Sequence, residues 1–371
     1  MSIINRKRNI PSAVWLSGVL GSFGLSLLFI GSNSRSITQS KLSGSLIESS
    51  SNPVVQTSTY ESPTKQIYDH GQFLESFNAS GASLLFAHVP KAGGQSVQSL
   101  LNSWGEVNGI KVLKHFEEKN LDDSLFSSKY TKQIFFGHEV WGQYLSIMKS
   151  YAGVSKGGRD LREPLKVVVM REPLSQLVSF YDYIMHKKCH NRYKNFWELY
   201  GGGTLDSHLI KMMDDIEKNG IPTTKATERL WRITHSQMDF LRTGIHGFDN
   251  TSGSLDSYQN ALLHLERFHV IATLKSMDSS LLPQLKYWLP WADKSLTKIL
   301  TINSIAEYLN EDEVFVKSIV SKDTAERMKK NFMKYDYKLY SMAVELSHER
   351  LEFVKNMNVI VNSNGTDSKA H

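Results

Sequence analysis

The periodic part of the chain begins near Ser83 and runs to about Val354, as short β-rich runs alternating with helical patterns. Leu84-Leu-Phe-Ala-His-Val89 reads as a buried strand, followed by a helix from Ser96 through Trp104. Gln133-Ile-Phe-Phe136, Lys166-Val-Val-Val-Met170 and Phe268-His-Val-Ile-Ala-Thr273 are three further strand candidates. They are apolar throughout, as strands covered on both faces are. Such alternation predicts one α/β domain with a parallel central sheet and helices on both faces. Pro173 suits the first turn of a helix, and Leu174, Leu177, Val178 and Tyr181 recur after it at core-facing spacing. The last third reads as helical, with Glu311-Asp-Glu313 opening one helix and Asp323 as the N-cap of the next.

Upstream of this domain the pattern changes twice. Ala13 to Gly31 is a 19-residue apolar run within 26 uncharged residues. That is close to the roughly 20 needed to span hydrocarbon. Arg6-Lys7-Arg8 precedes it and no cluster of like density follows, which orients the N-terminus to the cytoplasm and the rest to the lumen. A cleaved signal peptide is the competing reading and delivers the domain to the same compartment. From Ser32 to Gln66, 15 of 35 residues are Ser or Thr, too polar to form a core, so a flexible stem is expected there. The expected division is a cytoplasmic tail 1–10, an anchor 11–31, a stem 32–80, a luminal domain 81–355 and a flexible tail 356–371. Asn78, Asn250 and Asn364 head glycosylation sequons.

The formal charge of +6 falls to +3 without the N-terminal cluster, and no nucleic-acid-binding signature appears, so nucleic acid is not an expected partner. Cys189 is the only cysteine, which excludes an intrachain disulfide.

Two strand–loop–helix turns carry the candidate chemistry. In His88-Val-Pro-Lys-Ala-Gly-Gly-Gln-Ser96, the glycines Gly93 and Gly94 let backbone approach an anion and the following helix presents its positive end. Lys91 adds a mobile charge and Ser96 a hydroxyl. The loop lacks the Gly-Lys-Ser/Thr order by which nucleotide hydrolases hold magnesium. In Met170-Arg-Glu-Pro-Leu-Ser-Gln-Leu-Val-Ser179, Arg171 stands at the carboxyl end of a strand, where open α/β sheets bind ligands. A purely structural arginine, capping or pairing with Glu172, is the alternative.

Together these turns resemble the donor-binding pair of the membrane-bound carbohydrate sulfotransferases, by pattern most similar to the heparan sulfate and uronyl 2-O-sulfotransferase group. The similarity continues in Gln237-Met-Asp-Phe-Leu241, Phe268 to Thr273 and Asp336-Tyr-Lys-Leu-Tyr340, covering about residues 83 to 350. Ala92 and Gln95 stand where that family usually has hydroxyl residues, and Glu172 replaces the commoner Asp. The chain also lacks the paired cysteines of several animal members.

The resemblance implies a P-loop-like three-layer sandwich that uses 3′-phosphoadenosine 5′-phosphosulfate (PAPS) as co-substrate, without a metal, in the Golgi lumen as a single-pass type II protein. It implies that Lys91 and the stretch Ala92, Gly93, Gly94, Gln95 and Ser96 hold the 5′-phosphate end, and that Arg171 and Ser179 hold the 3′-phosphate. His138, in Phe135-Phe-Gly-His-Glu-Val-Trp141, follows a strand and stands as the general base, with Glu139 as the alternative. The basic stretch His186 to Lys194 is suited to an anionic glycan acceptor or, equally, to a solvated helix end. His186, Cys189 and His190 lack a fourth ligand for a metal site. The rival functions are a phosphate-loop nucleotide kinase and a catalytically silent glycan-binding protein. Homo-oligomerisation stays open.

Overall fold

The computed structural model describes residues 70–77, 82–114, 121, 133–151, 163–186, 202–244, 251–289 and 319–366. All of them belong to one compact unit, Gln66–His371. The expected cytoplasmic tail 1–10, the apolar run 13–31, Asn78, Asn250, Glu311 and the basic stretch 187–194 lie outside the described residues. Among the described residues no helix is long and apolar enough to cross a membrane.

Five strands form the sheet: β1 (Leu84–Ala87), β2 (Lys111–Leu113), β3 (Gln133–Gly137), β4 (Leu165–Met170) and β5 (Val270–Thr273). They lie in the order β2-β3-β1-β4-β5, every pair parallel, so β1 is central. β1, β4 and β5 are buried at every position, which is why they read as unbroken apolar runs.

Successive side chains leave the sheet on opposite faces. Leu85, Ala87, Phe135, Val168, Met170 and Ile271 share one core with α3 (Val140–Tyr151), which follows β3. Leu84, Phe86, Ile134, Phe136, Val167 and Val169 share the other with α2 (Gly94–Asn108), which follows β1. Three layers result, as the alternation indicated. A third apolar cluster lies beyond the sheet. It joins α4 (Pro173–His186), α5 (Leu205–Asn219) and α6 (Lys225–Thr234) through Leu177, Tyr181, Leu209, Met212, Met213 and Leu230. Leu174, Leu177, Val178 and Tyr181 are all buried here, on the face their spacing indicated.

The remaining elements frame the sheet. α7 (Ser236–Thr243) and α8 (Leu255–Leu265) pack on the α3 face. After β5 a short 3₁₀ turn and a π-helical turn lead to α9 (Leu282–Trp288) on the α2 face. α10 (Lys322–Arg327) precedes the long α11 (Lys334–Thr366). α11 runs down the outside of β5: Tyr340 bonds Thr273 at the strand's carboxyl end, and Arg350 donates to the carbonyls of Glu266 and Phe268 at its entry.

Several expectations change. β2 escaped notice because it is a three-residue, partly exposed edge strand. A helix, α1 (His70–Glu75), falls inside the expected stem, because Phe73 and Leu74, with Phe77 just after the helix, are apolar and pack against the sheet core. The N-cap of α10 is Ser321, whose side chain accepts the Thr324 N–H, so Asp323 is a first-turn acid and not the cap. α11 extends past residue 355 as helix to Thr366, with Asn364 inside it.

His269 is the buried titratable group with the clearest consequence. Its Nδ1 accepts the Lys166 N–H at 3.0 Å, and its ring lies 3.9 Å from that of Phe77 and 4.9 Å from that of Phe73. Burial holds its pKa well below the ordinary 6.5, helped by the charges of Lys166 and Arg350. The folded state therefore keeps the imidazole neutral while the unfolded chain takes up a proton below about pH 6.5. Stability from this group is full above that pH and declines below it, by up to about 1.4 kcal/mol per pH unit. Urea denaturation between pH 7 and 5 is expected to show this slope, and His269→Asn, which keeps an acceptor for Lys166, to remove about one proton's worth of it. An unchanged slope in the variant would assign the acid sensitivity elsewhere.

Candidate functional site

The carboxyl ends of β3, β1 and β4 are neighbours, and each releases one candidate segment. Open α/β sheets bind ligands where adjacent strand ends lead to helices on opposite faces. β1 is such a place, since α2 covers one face and α3 the other.

The β1 loop is tight. The Val89 N–H bonds Ala87 O, and the Ala92 N–H bonds Val89 O. Lys91 adopts φ +60°, the one non-glycine residue with positive φ among those described. Gly93 follows at φ +83°, and a Cβ there would meet Leu274 at 2.6 Å. A Cβ on Gly94 would lie 1.7 Å from the His88 ring, so a side chain there would displace that imidazole. α2 begins at Gly94; the Ser96 and Val97 N–H groups donate to Gly93 O, and those of Gly94 and Gln95 precede any intrahelical acceptor. They face outward with the positive end of the helix dipole, an anion-binding arrangement. Ser96 is exposed in that first turn and Ala92 is buried. Gln95 contributes its backbone to the same turn. The Lys91 ammonium lies 4.7 Å above the Tyr183 ring.

The β4 turn is held by its own acid. The Glu172 carboxylate accepts the Ser175 N–H at 2.6 Å, capping α4, and also accepts the Tyr337 hydroxyl from α11. Burial, with the Glu172 charge next, raises the Tyr337 pKa, so the phenol stays a donor. Pro173 opens α4 as expected. Arg171 is buried, and its Nη1 donates to the carbonyl of Lys91 at 2.9 Å, joining the two turns directly. Guanidinium has five N–H donors, and this bond uses one of them. Ser179 is half-buried on α4.

His138 follows β3 and is exposed, as is Glu139. Its Nδ1 lies 2.9 Å from the His88 carbonyl oxygen. A carbonyl can only accept, so Nδ1 carries the proton and Nε2 is the basic nitrogen of the neutral ring. The ring stacks on that of His88, with centroids 4.1 Å apart and planes 21° from parallel. His88 was not among the expected site residues. Its position directly after β1 was the available signal.

Behind the turns lies a buried polar layer. Gln176 Nε2 donates to Pro90 O at 2.7 Å, and Ser236 Oγ donates to Gln176 Oε1 at 3.2 Å. Gln237 pairs with Arg171 at two points: Oε1 accepts the Arg171 N–H at 2.9 Å and Nε2 donates to Arg171 O at 2.8 Å. Two residues before Gln237, His235 places Nδ1 2.6 Å from Asp336 Oδ2, both side chains buried. Gln237 and Asp336 head two of the segments quoted for the family resemblance.

His186 ends α4, and Cys189 and His190 fall outside the described residues, so the weak metal reading has no geometry here. Among the described residues no three His, Cys, Asp or Glu side chains stand close enough to hold a metal ion. A hollow of about 370 Å³ beside β2, lined by Gly105, Glu106, Ile110 and Val112, opens where β2 begins, at the sheet edge opposite Lys91. No protein-family model matches the chain, and no curated protein matches it.

The left-handed backbone at Lys91 is a local cost of order 1 kcal/mol that the surrounding bonds maintain. Lys91→Gly is therefore expected to be more stable than Lys91→Ala by about 1 kcal/mol, although both lose the ammonium. Thermal melts of the two variants check this. Equal stabilities would mean that the turn carries no strain.

Proposed function

We propose that this chain is a sulfotransferase that moves the sulfuryl group of PAPS to a hydroxyl of an anionic glycan. The observation that carries the reading is the hydrogen bond between Arg171 Nη1 and Lys91 O. It draws together a glycine-rich anion loop and an arginine turn, the two parts that a nucleotide phosphorylated on both sides of one ribose requires. The five-stranded parallel order, with the anion loop on the central strand, suits a P-loop-like sulfotransferase fold.

In this reading the N–H groups from Gly93 to Gln95 hold the 5′-phosphate at the start of α2, with Ser96 adding its hydroxyl. Arg171 and Ser179 hold the 3′-phosphate by charge-assisted and neutral hydrogen bonds. The acceptor oxygen attacks sulfur as the bond from sulfur to the bridging phosphate oxygen breaks. Lys91 neutralises the charge that builds on that oxygen. His138 Nε2 takes the proton released by the acceptor hydroxyl, with Glu139 the other candidate base. The products are the sulfated glycan, 3′-phosphoadenosine 5′-phosphate and one proton. The apolar run 13–31 suits a type II anchor that keeps this domain in the Golgi lumen, where the donor and the glycans meet.

Incubation with ³⁵S-labelled PAPS and a panel of uronate-bearing and sulfated polysaccharides tests the activity. Labelled polymer is expected with at least one, and none with any would remove the reading. Lys91→Ala is expected to abolish transfer in a folded protein. Arg171→Ala is expected to raise the donor KM more than it lowers kcat, and an unchanged donor KM would refute the 3′-phosphate role. His138→Ala is expected to lower kcat by about 10²–10⁴-fold with donor binding retained. Normal turnover in that variant would pass the base role to Glu139.

A further inference from the structure

Beyond the groups that would touch the donor, the two turns share a support. Gln176 reaches the first turn at Pro90 O, and Gln237 grips the second at both backbone atoms of Arg171. These two amides are linked through Ser236, whose hydroxyl donates to Gln176 and whose peptide is joined to Gln237. Gln176, Ser236 and Gln237 are 1–3% exposed, too deep to meet a bound nucleotide themselves. The segment has its own anchor: His235 is bound to Asp336 of α11, and the next residue of α11, Tyr337, holds Glu172 of the second turn. A single dipeptide at the start of α7 thus contacts the second turn directly and the first through one side chain.

We infer that Gln176, Ser236 and Gln237 are positioning residues that set the separation of the lysine loop and the arginine turn. They thereby decide how strongly the site prefers a nucleotide with both 3′- and 5′-phosphates over one with a 5′-phosphate alone. The inference rests on the donor reading above. A ligand with one phosphate needs only the loop that receives it. A ligand with two must find both turns at the distance its ribose imposes, so loosening the support weakens the second contact selectively.

The test is calorimetry on the full-length chain in detergent, titrated with 3′-phosphoadenosine 5′-phosphate and, separately, with adenosine 5′-phosphate. Gln237→Met keeps the side-chain volume and removes both bonds to Arg171. It is expected to weaken the doubly phosphorylated ligand about tenfold or more and the singly phosphorylated one by less than about threefold. Gln237→Glu keeps the acceptor for the Arg171 N–H, so its preference is expected to fall between those of Gln237→Met and the parent. Where Gln237→Met does not fold, Ser236→Ala removes only the link to Gln176 and is read in the same way. A merely structural role would lower the melting temperature and leave the ratio of the two affinities intact. Folded variants that keep the parent's ratio overturn the inference and leave the donor reading standing. A parent protein that shows no preference for the doubly phosphorylated ligand overturns both.

Discussion

The parallel pairing of β1 with β4, Ala87 against Val168, is the constraint on which the site depends. Neighbouring strands lie about 4.8 Å apart, so segments that leave them in step emerge within reach of each other's side chains. The Arg171 guanidinium can thus meet the Lys91 carbonyl across 80 residues of sequence. β3 pairs with the other side of β1, Ala87 against Gly137, and delivers His138 to the same edge. This arrangement needs β1 in the interior of the sheet, hence buried on both faces, hence helices above and below. The three-layer architecture and the clustering of the functional groups follow from one packing requirement.

Behind the two turns lies a layer that is polar and buried. Gln176, Gln237, Ser236, His235 and Asp336 are all buried, and the bonds among them and to the turns join segments far apart in the chain. An amide buried without partners costs about 1–3 kcal/mol, so a core that carries several must satisfy them by accurate geometry. Such a layer adds little to stability beyond an apolar core, but it permits few alternative arrangements. A site that selects by the spacing of two charged groups benefits from that rigidity more than from stability.

Much of this was legible in the sequence, for identifiable reasons. β1, β3, β4 and β5 announced themselves as apolar runs because they are covered on both faces, and the core side of α4 followed from the spacing of Leu174, Leu177, Val178 and Tyr181. The anion loop and the arginine turn were visible because glycine, proline, lysine and arginine have few reasons to fall at strand ends in that order. β2 was hidden, since three partly exposed residues leave no period. α1 was hidden by the Ser/Thr-rich stretch before it, although Phe73 and Leu74 mark its apolar side. Gln237 was noticed only as the head of a similar segment, and the supporting role of the glutamines was not legible: a polar residue's partner 60 to 86 positions away leaves no local pattern. His88 was readable as a position but not as a stacking partner of His138, because that contact exists only once β1 and β3 are paired.

If two neighbouring turns grip one doubly phosphorylated nucleotide, a crystal structure grown with 3′-phosphoadenosine 5′-phosphate will show both contacts at once. The 5′-phosphate is expected on the N–H groups of Gly93 to Gln95 and the Ser96 hydroxyl, and the 3′-phosphate on Arg171 and Ser179. A nucleotide seated on one turn alone, or bound away from both, would contradict it.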